Sequence, residues 1–181
     1  KYKPNHFIWR KKRMGLIANY KYLSDKNLNE LKALYTENTE SITDIEEHNN
    51  DLEILLDLDK MWDALHFVLT GASANEPIKN NCFSEAILGI SHIEEVEDLI
   101  AYTEKSRIKD ILLALDNFDI EKAMESFSME ECKKANIYPD IWDYEEESEE
   151  IEEELMDYFQ NMKDFYKKIL EAKGNVLITI C

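Results

Sequence analysis

The 181-residue chain is poor in glycine, proline and cysteine, and it has no long apolar run. Its four glycines form neither a G-x-G-x-x-G nor a P-loop spacing, so the common backbone cradles for phosphate are missing. No apolar run approaches the roughly 20 residues that span a bilayer, or the about 7 to 15 residues of a secretory signal. These absences argue against a nucleotide-binding enzyme, a membrane-spanning protein and a secreted protein.

The three cysteines, Cys82, Cys132 and Cys181, are far apart and odd in number. Structural zinc sites usually contain cysteine pairs at short spacing, and a disulfide framework needs an even number. The histidines form no H-E-x-x-H or other ligand spacing. We therefore expect free thiols in a reducing cytoplasm, no metal site and no cofactor.

Apolar residues make up 44% of the sequence, which is enough for one core. The chain has a net charge of −18. A chain of this length buries on the order of 70% of its unfolded surface, so a single domain is expected. Residues 1–13 hold six of the 21 Lys and Arg residues and no acid. Residues 14–181 therefore contain 15 basic and 39 acidic residues, a net charge of −24.

This charge distribution favours some partners and opposes others. An acidic body repels nucleic acid and anionic membranes, and it accelerates encounter with basic proteins. We expect a basic protein partner, no nucleic acid and no membrane, although solubility alone also explains such a charge. Residues 1–13 are predicted to be a basic extension outside the fold, and the oligomeric state stays open.

Residues 56–71, LDLDKMWDALHFVLTG, carry the clearest helical pattern. Asp57 or Asp59 is predicted to cap the start of this central helix, and Gly71 to supply the left-handed residue at its end. Apolar residues recur every three or four positions and predict a buried stripe, namely Leu58, Met61, Trp62, Leu65, Val68 and Leu69. A second, polar stripe contains Asp59, Asp63, His66 and Thr70.

The same stretch resembles the YfbM-like family of small bacterial proteins of unknown function. The resemblance rests on Leu56-Asp57, Asp59-Lys60, Trp62-Asp63, Leu65-His66-Phe67 and Leu69-Thr70-Gly71, and further on Met14-Gly15, Ser84 through Leu88-Gly89, and Ile137-Tyr138-Pro139. It covers nearly all of residues 14–181, which are therefore expected to form one domain. Because that family has no established activity, the resemblance implies a fold and no chemistry.

We predict an α+β fold with a small sheet covered by several helices. Strands are expected near residues 15–22, 84–88 and 176–181, and the last of these is expected to be central and covered on both faces. Residues 36–50 and 71–81 are predicted loops, the first with one helical turn. Helices are expected after Ser24, Asp119 and Ser128, over residues 106–115, and in a long amphipathic segment ending near residue 173.

One candidate site lies on the polar stripe. Asp63 could orient His66 as a base, with Ser73 as a nucleophile and Lys79 in the following loop, which would make an enzyme or small-ligand binder. The structural alternative is that Asp63 and His66 bond to each other or to nearby backbone and lock the helix in place. A closed, dry pair would favour the structural reading, and an open pocket the functional one.

The second candidate site is an acid run, residues 145–154, which contains eight glutamates and no base. Such a run is usually a solvated helix face, but it can also dock a basic surface, with neighbouring aromatic residues as anchors. The predicted partner-binding residues are Trp142, Tyr144, Glu146, Glu147, Glu149, Glu150, Glu153 and Glu154. The leading hypothesis is a non-enzymatic acidic binding protein, such as an immunity or antitoxin-type neutraliser of a basic protein.

Overall fold

The structure, a computed structural model, describes residues 15–37, 52–93 and 99–181. The predicted basic extension, residues 1–13, lies outside these ranges, as does most of the predicted loop over residues 36–50. Within these ranges, no helix is both long and apolar enough to cross a membrane.

Five antiparallel strands form one sheet in the order β2-β1-β5-β4-β3. Their bounds are β1 Ala18–Leu23, β2 Leu55–Asp57, β3 Ser91–His92, β4 Leu99–Thr103 and β5 Asn175–Ile180. The central strand β5 pairs with β1 from Ala18 opposite Ile180 to Leu23 opposite Asn175, and its other edge pairs with β4. The predicted strand near residues 176–181 is therefore confirmed as a central one.

Helices cover this sheet, as predicted for an α+β fold. They are α1 Asp25–Glu37, α2 Trp62–Thr70, α3 Cys82–Leu88, α4 Lys105–Asp116, α5 Ile120–Met124, α6 Met129–Lys134 and α7 Ser148–Ala172, with a 3-10 helix at Glu145–Glu147. Three predicted caps are present, because Ser24, Asp119 and Ser128 each accept a backbone N–H bond three residues later. These local signals were sufficient to place α1, α5 and α6.

The two faces of β5 contact different clusters of apolar residues. Val176, Ile178 and Ile180 belong to the large core on the side of α7. Leu177 belongs to a smaller cluster on the other face, which includes Leu28 and Leu31 of α1. The strand is thus covered on both faces, which explains its nearly continuous apolar sequence.

The long helix α7 packs its apolar face against the sheet. The Phe165 ring meets Tyr20 of β1 edge-on at 6.2 Å, and the Tyr166 hydroxyl donates to the carbonyl of Ala86 at 2.7 Å. The helix ends at Ala172, as predicted for a segment ending near residue 173, and its C-cap residue Lys173 has a left-handed φ of 54°. A Cβ at position 174 would lie 2.0 Å from the ring of Tyr22, so any residue larger than glycine there would displace that ring.

The predicted strand at residues 84–88 is wrong, because this stretch is part of helix α3. The Asn81 side chain accepts bonds from the backbone N–H groups of Phe83 and Ser84, at 2.9 and 3.1 Å, and so starts a helix there. The sheet instead takes its fourth strand from residues 99–103.

The central helix begins later than predicted, at Trp62. Residues 55–57 pair with β1 as β2, and the Asp57 side chain accepts a bond from the N–H of Asp59 in the turn that follows. Neither aspartate caps the helix, since its N-cap is Met61 without a side-chain bond. The predicted end is confirmed, because Gly71 has a φ of 74° and donates to the carbonyl of Phe67.

Candidate functional site

Asp63 is a fully buried carboxylate on α2. Its Oδ1 accepts the backbone N–H of Ala74 at 2.7 Å and its Oδ2 accepts that of Tyr138 at 2.9 Å. The hydroxyl of Ser73 donates to Oδ1 at 3.2 Å. Asp63 therefore links α2 to the loop over residues 71–81 and to the segment after α6.

Burial dominates the ionisation of Asp63. Loss of hydration raises the pKa of this carboxyl above its ordinary value, and the N–H groups of Tyr138 and Ala74 oppose that rise because they favour the charged form. A buried carboxylate with several donors is the expected way to satisfy such a group without a counter-ion. Its surroundings are those of a structural anchor.

His66 is also fully buried, one turn further along α2. Its Nδ1 lies 2.8 Å from the carbonyl oxygen of Ala72, and its Nε2 lies 2.8 Å from the hydroxyl of Ser84. A carbonyl can only accept, so Nδ1 carries the proton of the neutral ring and the Ser84 hydroxyl donates to Nε2. Burial lowers the pKa of His66 to about 4, which keeps the ring neutral at physiological pH.

The pair Ser84 and His66 has the hydrogen-bond geometry of a nucleophile and its base. However, Ser84 is 4% exposed and His66 is 0% exposed, so no substrate atom can approach the hydroxyl in this conformation. The Ser84 oxygen also accepts the N–H of Ile78 at 3.1 Å. These bonds hold the 71–81 loop onto α2 and α3. The buried polar group formed by Asp63, His66 and Ser84, called the polar centre below, is therefore closed to solvent.

The residues predicted to cooperate are only partly brought together. Ser73 contacts Asp63 rather than His66, while Lys79 is exposed and Asp59 lies in an exposed turn before the helix. Both ring nitrogens of His66 have other partners, so Asp63 and His66 do not form the predicted pair in the described part of the chain. The alternative of bonding to nearby backbone is what the structure contains.

The sequence interpretation missed Ser84 as the partner of His66. The only available signal was the Asn81 cap, which makes residues 82–88 a helix and turns Ser84 inward. Because residues 84–88 were predicted to be a strand, the sequence offered no reason to expect the Ser84 hydroxyl near α2.

The acid run begins in the 3-10 helix and continues through the first turns of α7. Its exposed carboxylates are those of Glu145, Glu146, Glu147, Glu149, Glu150, Glu153 and Glu154. Within the described residues, none of these seven forms an ion pair with a lysine or arginine. Among the described residues, the run is therefore a surface of negative charge without paired basic side chains.

Carboxylates from another element extend this surface. Burial is the main cause of a raised pKa at the Tyr158 hydroxyl of α7, and the neighbouring charges of Glu154, Asp59 and Asp57 raise it further. The acidic surface thus continues from α7 to β2 and the turn that follows it.

The two predicted aromatic anchors differ in exposure. Trp142 is 3% exposed, and its indole Nε1 donates to the carbonyl of Ile137 at 2.6 Å, so its ring belongs to the core. Tyr144 is 52% exposed beside the acid run. Only Tyr144 is placed where a partner could contact it.

The thiols lie away from these two sites or within the core. Cys82 is half-buried at the start of α3 and accepts a bond from Arg107, whose guanidinium also pairs with Glu85 at 2.7 Å. Burial, followed by the charge of Asp63, raises the pKa of the Cys132 thiol to about 12. In the described ranges, no three His, Cys, Asp or Glu side chains converge as metal ligands do.

Comparison with known proteins places this arrangement in a family. Residues 14–179 match the family described as "Domain of unknown function (DUF1877)". The chain is 28% identical over 170 residues to Protein YfbM of Escherichia coli (strain K12), covering 92% of this chain and 98% of that protein. The crystal structure of YfbM from Escherichia coli, titled a protein of unknown function, superposes with a TM-score of 0.76 and 26% identity over 91% of this chain and 99% of that chain. The chain therefore belongs to the DUF1877 family, as its YfbM-like motifs implied.

Proposed function

We propose that this protein is a non-enzymatic binding module that recognises a basic partner protein through its acid run. The observation that carries the proposal is the set of seven exposed glutamates that have no ion-pair partner among the described residues. A neutraliser of a basic protein, of the immunity or antitoxin type, is the role that this surface fits.

The density of the run exceeds what the helix requires. Acidic residues near a helix N-terminus stabilise the helix dipole, but this effect is confined to about the first turn. The glutamates at 145–147 precede α7 and those at 153 and 154 lie beyond its first turn. Like charges at such spacing repel each other, so the excess has a stability cost that partner binding would offset.

The inaccessibility of the polar centre to solvent also supports this proposal, because it weakens the competing proposal of an enzyme or small-ligand binder. Asp63 and His66 are fully buried, and their hydrogen-bonding groups are used by neighbouring backbone and by two serines. The competing proposal, an enzyme or small-ligand binder, has one favourable observation, which is the 2.8 Å contact of Ser84 with His66. It requires the 71–81 loop to open before that contact becomes reachable.

The test compares two variants that lose the same amount of negative charge. The first replaces Glu146, Glu147, Glu150 and Glu153 by glutamine within the run. The control replaces four exposed glutamates outside it, namely Glu53, Glu76, Glu121 and Glu125. Wild-type protein is first used to capture partners from a bacterial lysate at low and high salt, and association rates are then measured with each basic protein recovered.

We expect the run variant to associate at least about tenfold more slowly than wild type at low salt, with a smaller change in dissociation. The difference should shrink as salt reduces the screening length to about 8 Å. The control variant should associate at nearly the wild-type rate. Equal slowing by both variants would reduce the run to a source of net charge and would contradict the proposal.

A further inference from the structure

A groove of about 440 Å³ lies on the outer side of the packed helices α4 and α7. Its apolar part includes Leu112 and Leu170, and Leu113 is exposed nearby on α4. Leu113 is 59% exposed and Leu170 is 36% exposed, so this pair of neighbouring helices presents apolar side chains to solvent. A partner that covered them would gain hydrophobic free energy.

The charges around the groove are nearly balanced, although the chain as a whole is strongly acidic. Asp116, Asp164 and Glu171 are opposed there by Lys163 and Lys167, in a chain whose net charge is −18. Lys163 is already 3.4 Å from Asp116, which lies across the groove on α4. Two copies of such an acidic protein repel each other through most of their surfaces, but much less through this one.

The polar residues of α7 at the groove are also self-complementary. Gln160, Asp164, Lys167 and Glu171 recur every three or four positions and share one helix face. If two copies of α7 pack antiparallel about a two-fold axis between residues 165 and 166, Lys167 of one protomer faces Asp164 of its partner. The same register sets Gln160 opposite Glu171, and the symmetry makes every contact twice.

We propose that this face is the interface of a homodimer, with a second copy of the chain as its occupant. A two-fold axis in the interface plane places the α4 helices of both copies on the same side of the α7 pair, so their exposed leucines come together. This inference does not depend on the proposed binding function of the acid run.

The small size of the face places the proposed dimer in the class of weak, transient interfaces. Helix α4 is 12 residues long, or about 18 Å, and two adjacent helices are about 20 Å wide. The area that this length and width define is below the about 800 Å² per partner of a standard interface. The dimer should therefore be weak, with a dissociation constant between about 10 µM and about 1 mM.

The test uses the full chain and exchanges charges on α7. Lys167→Glu places like charges opposite Asp164, whereas Lys168→Glu makes the same change of net charge at an exposed position outside the groove. The double variant Asp164→Lys with Lys167→Glu restores opposite charges in the reversed order. Dissociation constants are measured by sedimentation equilibrium at physiological salt, at protein concentrations up to about 1 mM.

We expect Lys167→Glu to raise the dissociation constant at least about tenfold, Lys168→Glu to change it less than about threefold, and the double variant to recover most of the loss. A wild-type protein that stays monomeric at about 1 mM would overturn the proposal. Equal effects of the two single variants, or a double variant no better than Lys167→Glu, would show that any dimer uses another face.

Discussion

Replacement of His66 by glutamine should remove an acid-sensitive part of the stability. Burial lowers the pKa of His66 to about 4, while the unfolded chain takes up this proton near pH 6.5. As the pH falls below 6.5 the unfolded state binds more protons than the folded state, so the free energy of unfolding decreases. The contribution of His66 is complete above pH 6.5, smaller by about 2 kcal/mol at pH 5, and smaller by about 3 kcal/mol at pH 4.

The assay is urea unfolding of wild type and of His66→Gln at about pH 7.5 and about pH 5. Trp62 and Trp142 are both buried, so their fluorescence reports on the loss of the core. Near pH 7.5 the variant should be less stable by about 1 to 3 kcal/mol, because glutamine does not satisfy both Ala72 and Ser84 in the geometry of the ring. At pH 5 the difference between the two free energies of unfolding should shift by about 2 kcal/mol in favour of the variant, since only the wild type loses the histidine contribution.

Other titrating groups do not obscure this result. The raised pKa of Asp63 acts with the opposite sign, because its folded form binds a proton at higher pH than its unfolded form and gains stability there as the pH falls. Asp63 is present in both proteins, so its effect cancels in the difference.

A gap of equal size at both pH values would refute a neutral, buried imidazole. A variant of unchanged stability that lost a ligand or a turnover would instead favour the competing enzymatic proposal.

Two further predictions concern packing and can be measured by the same urea unfolding. Trp62→Ala should cost about 3 to 5 kcal/mol, because the indole is 1% exposed and its Nε1 donates to the carbonyl of Leu16; a loss below about 1 kcal/mol would contradict its placement in the core. Gly174→Ala should cost more than about 2 kcal/mol because its Cβ would overlap the Tyr22 ring. Gly71→Ala is the matched control, with open space and only left-handed strain of about 1 kcal/mol, so equal losses at the two glycines would argue against the overlap.

Local sequence signals predicted the parts of the fold that local physics decides. Ser24, Asp119 and Ser128 satisfy N–H groups only a few residues away, so their caps could be read from the sequence. The apolar period of α7 extends over many turns and left little ambiguity. The seven residues of α3 were misread because so short an apolar segment fits a strand as well as a helix, and the side chain of Asn81 decides between them.

For the candidate site, the sequence could predict only that Asp63 and His66 lie on the same helix. The placement of Asp63 and His66 on α2 follows from their spacing, but their partners come from elsewhere in the chain. Tyr138 lies 75 residues from Asp63, and Ser84 lies 18 residues from His66. No periodicity encodes such contacts, since they depend on how α3 and the segment after α6 pack against α2. The sequence spacing identified Asp63 and His66 as polar residues on one helix face. Tertiary packing then buries them and shields them from solvent.

The position of β5 in the sheet also constrains when the protein can fold. Without residues 175–180 the sheet separates into two strand pairs, β1 with β2 and β3 with β4. Isolated two-stranded pairs are marginal in water, so neither half persists until residues 175–180 have been synthesised. The pairing of Ala18 with Ile180 then closes a loop of nearly the whole described chain, which belongs to the slow class of folding events. Until β5 pairs with them, β1 and β4 each have one open hydrogen-bonding edge, and open strand edges make a partly folded chain prone to aggregation.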